Sequence, residues 1–260
     1  MVLIASSAAA QATRKSDGAG GFHFHRSTFI GSDAGAPGIV AALPAVPADS
    51  LTPYPVSYLI ELDPFSGLDV HFHRANQFQV FLEGSGTLAR HSVQAITVHY
   101  AGAFTAYGPI RPGARGLTFL TLRDAWDPGA RFLPEHKDEL RLARVGRREV
   151  HAPPLTVADA QALRELRQAQ LCTVMQPADD GLAAWSLCVP PGAPVDAPHG
   201  SDCGGRFWVV LAGALQWPAQ DLLAPRSCLH LNAEDGPMPA HAGPQGLQLL
   251  VLQFPRHPSH

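Results

Sequence analysis

The chain has 260 residues, 46% of them apolar and 16% charged, and a formal net charge of −3. That supplies core for one large β domain or two of ordinary size, and excludes the basic footprint that nucleic acid or an anionic membrane would require. The 24 Gly and 24 Pro are scattered without a three-residue period, which excludes a collagen repeat and argues against a helical bundle.

The chain opens MVLIASSAAAQATRK, with no basic stretch ahead of its short apolar run. It does not read as a secretory signal, and residues 1–20 are expected to form a flexible terminus. An N-terminal β domain is predicted over 21–130. Its clearest strands are Val56–Leu62, Gln77–Leu82, Gly86–Ser92, Ile96–Tyr100 and Leu117–Arg123, bounded by Gly, Pro, Asp or Ser. Turn signals about ten residues apart suit a sandwich or barrel.

A linker carrying one helix is predicted over 131–171. Thr156-Val-Ala-Asp159 resembles a capping box, and Val157, Ala160, Leu163 and Leu166 follow a helical period. The expected role is a brace between domains. The basic run at 141–148, RLARVGRR, reads as a solvated face. Strands resume over 172–260: Thr173–Met175, Ala184–Val189, Phe207–Leu211, Cys228–Asn232 and Leu247–Phe254. Cys172, Cys188, Cys203 and Cys228 form no C-x-x-C pair, so reduced thiols and a cytoplasmic location are expected. No apolar run reaches the roughly 18 residues of a membrane helix.

The second block repeats the first. Phe78–Gly84 aligns with Phe207–Gly213, Ile96–Tyr100 with Ser227–Leu231, and Gly116–Leu122 with Gly246–Leu252, at offsets of 129, 131 and 130 residues. A nearly constant offset across three strands reads as a tandem duplication of one β domain.

Chemistry concentrates in the first repeat. In Gly67-Leu-Asp-Val-His71-Phe-His73-Arg-Ala-Asn-Gln77, two histidines at i and i+2 of a strand share a face and can both reach one metal at about 2.0–2.1 Å. Alternation from Gln77 puts Gln79 and Phe81 on its face and Phe78, Val80 and Leu82 on the other. His23-Phe-His25-Arg26 repeats the text of His71–Arg74 without a Gln or Gly beyond it, and reads as structural or surface. His91 reads as a surface residue; His136, His151, His257 and His260 lie in linker or tail and carry no signal. No nucleophile elbow, phosphate loop or HExxH helix is present.

The stretch from His71 to Gly84 resembles the first motif of the cupin family, with His71, His73, Gln77 at the usual Glu position, and Gly84. The resemblance implies an all-β fold of two tandem double-stranded β-helix (jelly-roll) barrels, a bicupin, and often a homodimer. It implies a divalent metal (Fe, Mn, Ni or Zn) on His71, His73 and Gln77. The family's later motif supplies one more His, which by spacing falls near Phe104–Arg111, where there is none. Tyr107 could supply an oxygen and His99 could reach inward, so Gln79, His99 and Tyr107 are expected to line the pocket. Counted back from Gly213, Gly200, Asp202 and Arg206 replace His71, His73 and Gln77, so the second barrel is expected to be degenerate. His199 falls one residue off, His230 and His241 remain as stragglers, and Asp202 and Arg206 could pair. The resulting expectation is a metal-binding bicupin acting on a small organic molecule, of dioxygenase type, with no catalytic residue assigned. A non-catalytic sensor or carrier, or a structural protein with decayed sites, are the alternatives.

Overall fold

The computed structural model describes residues 2–19, 21–31, 55–200, 202–218 and 220–256; His257 and His260 lie outside them. The chain divides into two compact units, Gln11–Leu155 and Met1–Ala10 with Thr156–His260. Both are built on antiparallel β sheet.

In the first unit the sheet runs Glu149–His151, Thr97–Ala101, Gln77–Leu88, Ile110–Arg123, Val56–Leu62, Phe22–Ile30, Lys15–Ala19, with His91–Gln94 paired to Gln77–Leu88 and a separate ladder of His71–Phe72 with Arg131–Phe132. In the second the order is Leu3–Ala5, Cys228–Leu231, Arg206–Gln216, His241–Gln253, Ala183–Val189, Gln170–Met175. The central strands of each sheet are buried on both faces, Phe78, Val80 and Leu120 opposite Phe81 and Phe119 in the first unit and Phe207, Val209 and Leu250 opposite Trp208 and Leu249 in the second. Ile60, Leu62, Phe81 and Phe119 serve the first core; Leu187, Trp208, Leu229, Leu249 and Val251 serve the second. Burial of such faces, at about 25 cal/mol per Å² of apolar surface, is the main stabilising contribution.

The four central strands follow one order in both units, as the repeat implies. Their glycines show why the repeat kept them. A Cβ on Gly84 would stand 2.1 Å from the Gly116 carbonyl oxygen, and one on Gly213 2.1 Å from that of Gly246. All four have positive φ, from 69° to 83°, a conformation that other residues enter only under strain. The aligned register needs one correction. Gln79 faces His99, whereas Trp208 faces Leu229. The true offset of this strand is therefore 130 rather than 131, and His230 sits on the opposite face, paired with Phe207 as Tyr100 is with Phe78.

Other differences are local. Gln77–Leu82 and Gly86–Ser92 are largely one long strand, Gln77–Leu88. Residues 1–20, expected to be flexible, contribute Leu3–Ala5, Ser7–Gln11 and Lys15–Ala19, because backbone pairing with Cys228–Leu231 and Phe22–Ile30 ties them down. The inter-domain helix is short, Ala160–Glu165, and its cap is Asp159, which accepts from the Ala162 amide at 2.8 Å, not Thr156. It belongs to the second unit, where Leu163 is buried and its backbone packs over Gly246.

Candidate metal and ligand site

The first unit brings His71, His73, Gln77 and Tyr107 together, all buried. Their hydrogen bonds fix the protons. His71 Nδ1–H donates to the Asp69 carbonyl at 2.6 Å, leaving Nε2 to accept from the Tyr107 hydroxyl at 2.9 Å. His73 Nδ1–H donates to Asp127 Oδ1 at 2.8 Å. Both imidazoles thus point an Nε2 lone pair inward, the arrangement that anchored ligating histidines take. Burial, then the neighbouring His73, pushes His71 down to about 3, so it is neutral. His73 is lowered by burial and by Arg123.

The centre toward which these lone pairs point is held by protein. Arg123, at the end of strand Ile110–Arg123 and paired across the sheet with Gln77, donates from Nη2 to His73 Nε2 at 3.0 Å and from Nε to Gln77 Oε1 at 3.1 Å. Gln77 Nε2 in turn donates to the Tyr107 hydroxyl. Asp127, 3.7 Å from Arg123 Nη1, also accepts from the Arg74 and Gly129 amides. Burial alone would raise the Asp127 carboxyl, but His73 and Arg123 hold it well below the usual range. Burial pushes the Tyr107 phenol above its ordinary value. A guanidinium and a phenol therefore engage the atoms expected to bind metal, and the positive charge opposes a dication at that point.

A second cluster lies along the same sheet. His99 is fully buried, and its Nδ1–H donates to Gln79 Oε1 at 2.8 Å. Its Nε2 stands 3.2 Å from Glu149 Oε1, and His151 Nε2 stands 3.0 Å from the same oxygen. The ligand atoms of His99, Glu149 and His151 all lie within 4.8 Å of one another. The register makes this possible, because His151 pairs with His99 and His99 with Gln79. His151 is sandwiched, its ring 3.8 Å from that of His91 and 4.5 Å from that of His99. Burial pushes His99 down to about 4. Contacts with His151 and then His99 hold the Glu149 carboxyl well below its usual range, so it is ionised. The His99 ring also meets Tyr107 edge-on at 5.3 Å, which makes the two clusters neighbours.

No protein-family model matches this chain, and no curated protein does. Solved structures do. A candidate dioxygenase from Nostoc punctiforme matches with a TM-score of 0.63 at 11% identity, over 100% of this chain and 85% of that one. A bacterial pirin from Escherichia coli, in complex with nickel(II), matches at 0.55 and 10%, over 99% and 100%. Oxalate decarboxylase of Bacillus subtilis matches at 0.52 and 11%, over 98% and 78%, and Mn(II) centres are described for that enzyme. The fold is that of the cupins.

Among the expected residues, His71, His73, Gln77 and Tyr107 share one network, and Gln79 and His99 share the other. His23 is exposed and His25 Nδ1 stands 3.4 Å from the Ser16 hydroxyl. His136 stands near Glu139 at 3.6 Å. In the second unit Asp202 pairs with Arg256 instead of Arg206, and His199 and His241 are exposed. Arg123, Asp127, Glu149 and His151 were not anticipated. Glu149-Val-His151 carried a signal, since i and i+2 of a strand share a face, but it falls within the stretch read as linker. No helix among the described residues is long and apolar enough to cross a membrane.

Proposed function

We propose that this chain is a cupin that holds a divalent metal on His99, Glu149 and His151 and acts on a small organic molecule. The observation that carries this reading is the convergence of two imidazoles and an ionised carboxylate within 4.8 Å, with one imidazole oriented by Gln79. Two His and one carboxylate form a donor set suited to Fe, Mn, Ni or Zn, and it leaves positions open for substrate. Glu149 and His151 are only partly buried, so the cluster has a face toward solvent. When bound, the metal supplies Lewis acidity and substrate orientation. Gln79 fixes the His99 tautomer, and the Tyr107 hydroxyl, held by Gln77 and His71, forms the polar wall beside it. Dioxygenase-type chemistry is the reaction class this donor set favours.

A second reading has its own support: the inward lone pairs of His71 and His73 would hold the metal once Arg123 swung aside. Metal content of the full-length protein, after incubation with iron, manganese, nickel or zinc, separates the two. About one metal per chain is expected in the wild type and in His71→Ala/His73→Ala, and none in His99→Ala/His151→Ala. The reverse pattern moves the site to His71 and His73. No metal in any of the three sinks both and leaves a metal-free sensor or carrier.

A further inference from the structure

Several buried polar atoms of the second unit have no hydrogen-bond partner among the described residues. Arg206 and Gln253 face each other across neighbouring strands, where the first unit has Gln77 and Arg123. The residue types are exchanged between the two strands. Arg206 is 1% exposed, Gln253 6% and Trp208 2%. Strand alternation and register put all three on one face.

In the first unit this pair closes on itself through Arg123 Nε and Gln77 Oε1. Here it stays open. Arg206 Nη2 donates to the Asp235 carbonyl at 2.5 Å, and Gln253 Nε2 to the Gly181 carbonyl at 2.7 Å. Among the described residues, Arg206 Nε and Nη1, Trp208 Nε1 and Gln253 Oε1 have no hydrogen-bond partner. Nearby carboxylates are engaged elsewhere: Asp202 with Arg256, and Asp235 with the Asn232 amide. A buried guanidinium whose donors lack acceptors is strongly unfavourable unless a guest supplies them.

Of these three residues, Gln253 also borders an open cavity. It lines a cavity of about 410 Å³ with Trp185, Pro198, His199, Gly200 and Asp202, a volume within the roughly 300–1,000 Å³ of small-molecule pockets. Trp185 lies on the same sheet face, since it pairs with Val251 while Ala183 pairs with Gln253. The unmet atoms specify the guest. Arg206 and Trp208 offer donors only, and Gln253 Oε1 offers an acceptor.

We infer that the second unit binds a small 2-hydroxycarboxylic acid, its carboxylate on Arg206 and the Trp208 indole N–H and its hydroxyl donating to Gln253 Oε1. This site is independent of the metal cluster in the first unit.

Calorimetric titration of the full-length protein with glycolate, acetate and inorganic phosphate tests it. Glycolate is expected to bind saturably, with acetate weaker because it lacks the hydroxyl. Arg206→Met is expected to weaken glycolate roughly tenfold or more, the loss typical of a charge-assisted hydrogen bond. Gln253→Leu, which leaves the cation in place, is expected to erase the preference for glycolate over acetate; it decides the matter if Arg206→Met does not fold. His99→Ala/His151→Ala is expected to leave glycolate binding unchanged, so failure of the metal reading would not touch this one. Absence of saturable glycolate binding, undiminished binding by Arg206→Met, an unaltered preference in Gln253→Leu, or tighter binding of phosphate than glycolate would each overturn the assignment.

Discussion

The two units solve the same geometric problem with exchanged residues. At the end of the central strand pair the first has Gln77 opposite Arg123, and the second has Arg206 opposite Gln253. In the first, the guanidinium is enclosed by His73, Gln77 and Asp127; in the second it meets, among the described residues, one backbone carbonyl, and its Nε and Nη1 have no hydrogen-bond partner there. The backbone fixes which positions point inward. Whether an inward arginine finishes a network or awaits a ligand depends on what the loops bring over it. In the first unit they bring His71, His73, Tyr107 and Asp127; in the second, the positions aligned in sequence with the two histidines are Gly200 and Asp202.

The largest expected effects test what the units share. Gly84→Ala and Gly213→Ala should each destabilise their own unit by about 4 kcal/mol or more, since both place a Cβ against a carbonyl oxygen at positive φ. Urea denaturation followed by far-ultraviolet circular dichroism measures both. Tolerance of either substitution would break the equivalence of the two strand pairs.

Arginine replacement sharpens the contrast. Arg123→Met should cost about 3 kcal/mol, because it breaks a buried ion pair and strips His73 Nε2 and Gln77 Oε1 of a donor. Arg206→Met should be nearly neutral or stabilising, because it replaces a buried, underpartnered cation by an apolar chain of similar length. Equal losses in the two variants would mean that Arg206 is as well compensated as Arg123. Next in size, Tyr107→Phe should cost about 2 kcal/mol, leaving Gln77 Nε2 and His71 Nε2 without the hydroxyl they share. The same denaturation curves report it.

Much of this architecture is written in local pattern. His71, His73 and Gln77 are close in sequence, so alternation and one turn suffice to predict that they converge. Gly84 and Gly213 are legible because a steric demand at one backbone position leaves one residue type. Arg123 is a different case: its partner Gln77 lies 46 residues away, and nothing in Thr121-Leu122-Arg123 says that its side chain points at Gln77 and His73. The repeat held a clue, for Arg123 and Gln253 both follow the aligned Gly-Leu strands, but the exchange with Arg206 shows only once the ladder is drawn. Glu149 and His151 were hidden for another reason. A three-residue strand after a basic run lacks the length on which periodicity depends. Even a correct alignment can slip by one residue, and in a strand that moves His230 to the other face.

His230 supports the smallest of these predictions. Its counterpart is Tyr100, whose hydroxyl donates to Asn76 Oδ1 at 3.2 Å. His230 Nδ1 has no hydrogen-bond partner among the described residues, and burial pushes the ring from 6.5 down to about 3. A group whose folded pKa lies below its unfolded value binds more protons when unfolded. Stability is therefore fully present above about pH 6.5 and is lost as the pH falls from there toward 3. The slope approaches about 1.4 kcal/mol per pH unit for one such histidine. His71 and His99 share the sign, so acid weakens both units. His230→Leu should remove the contribution peculiar to the second. Between pH 6 and pH 5 its transition should lose about 1 kcal/mol less than that of the wild type. An unchanged difference would show that His230 takes up its proton without unfolding.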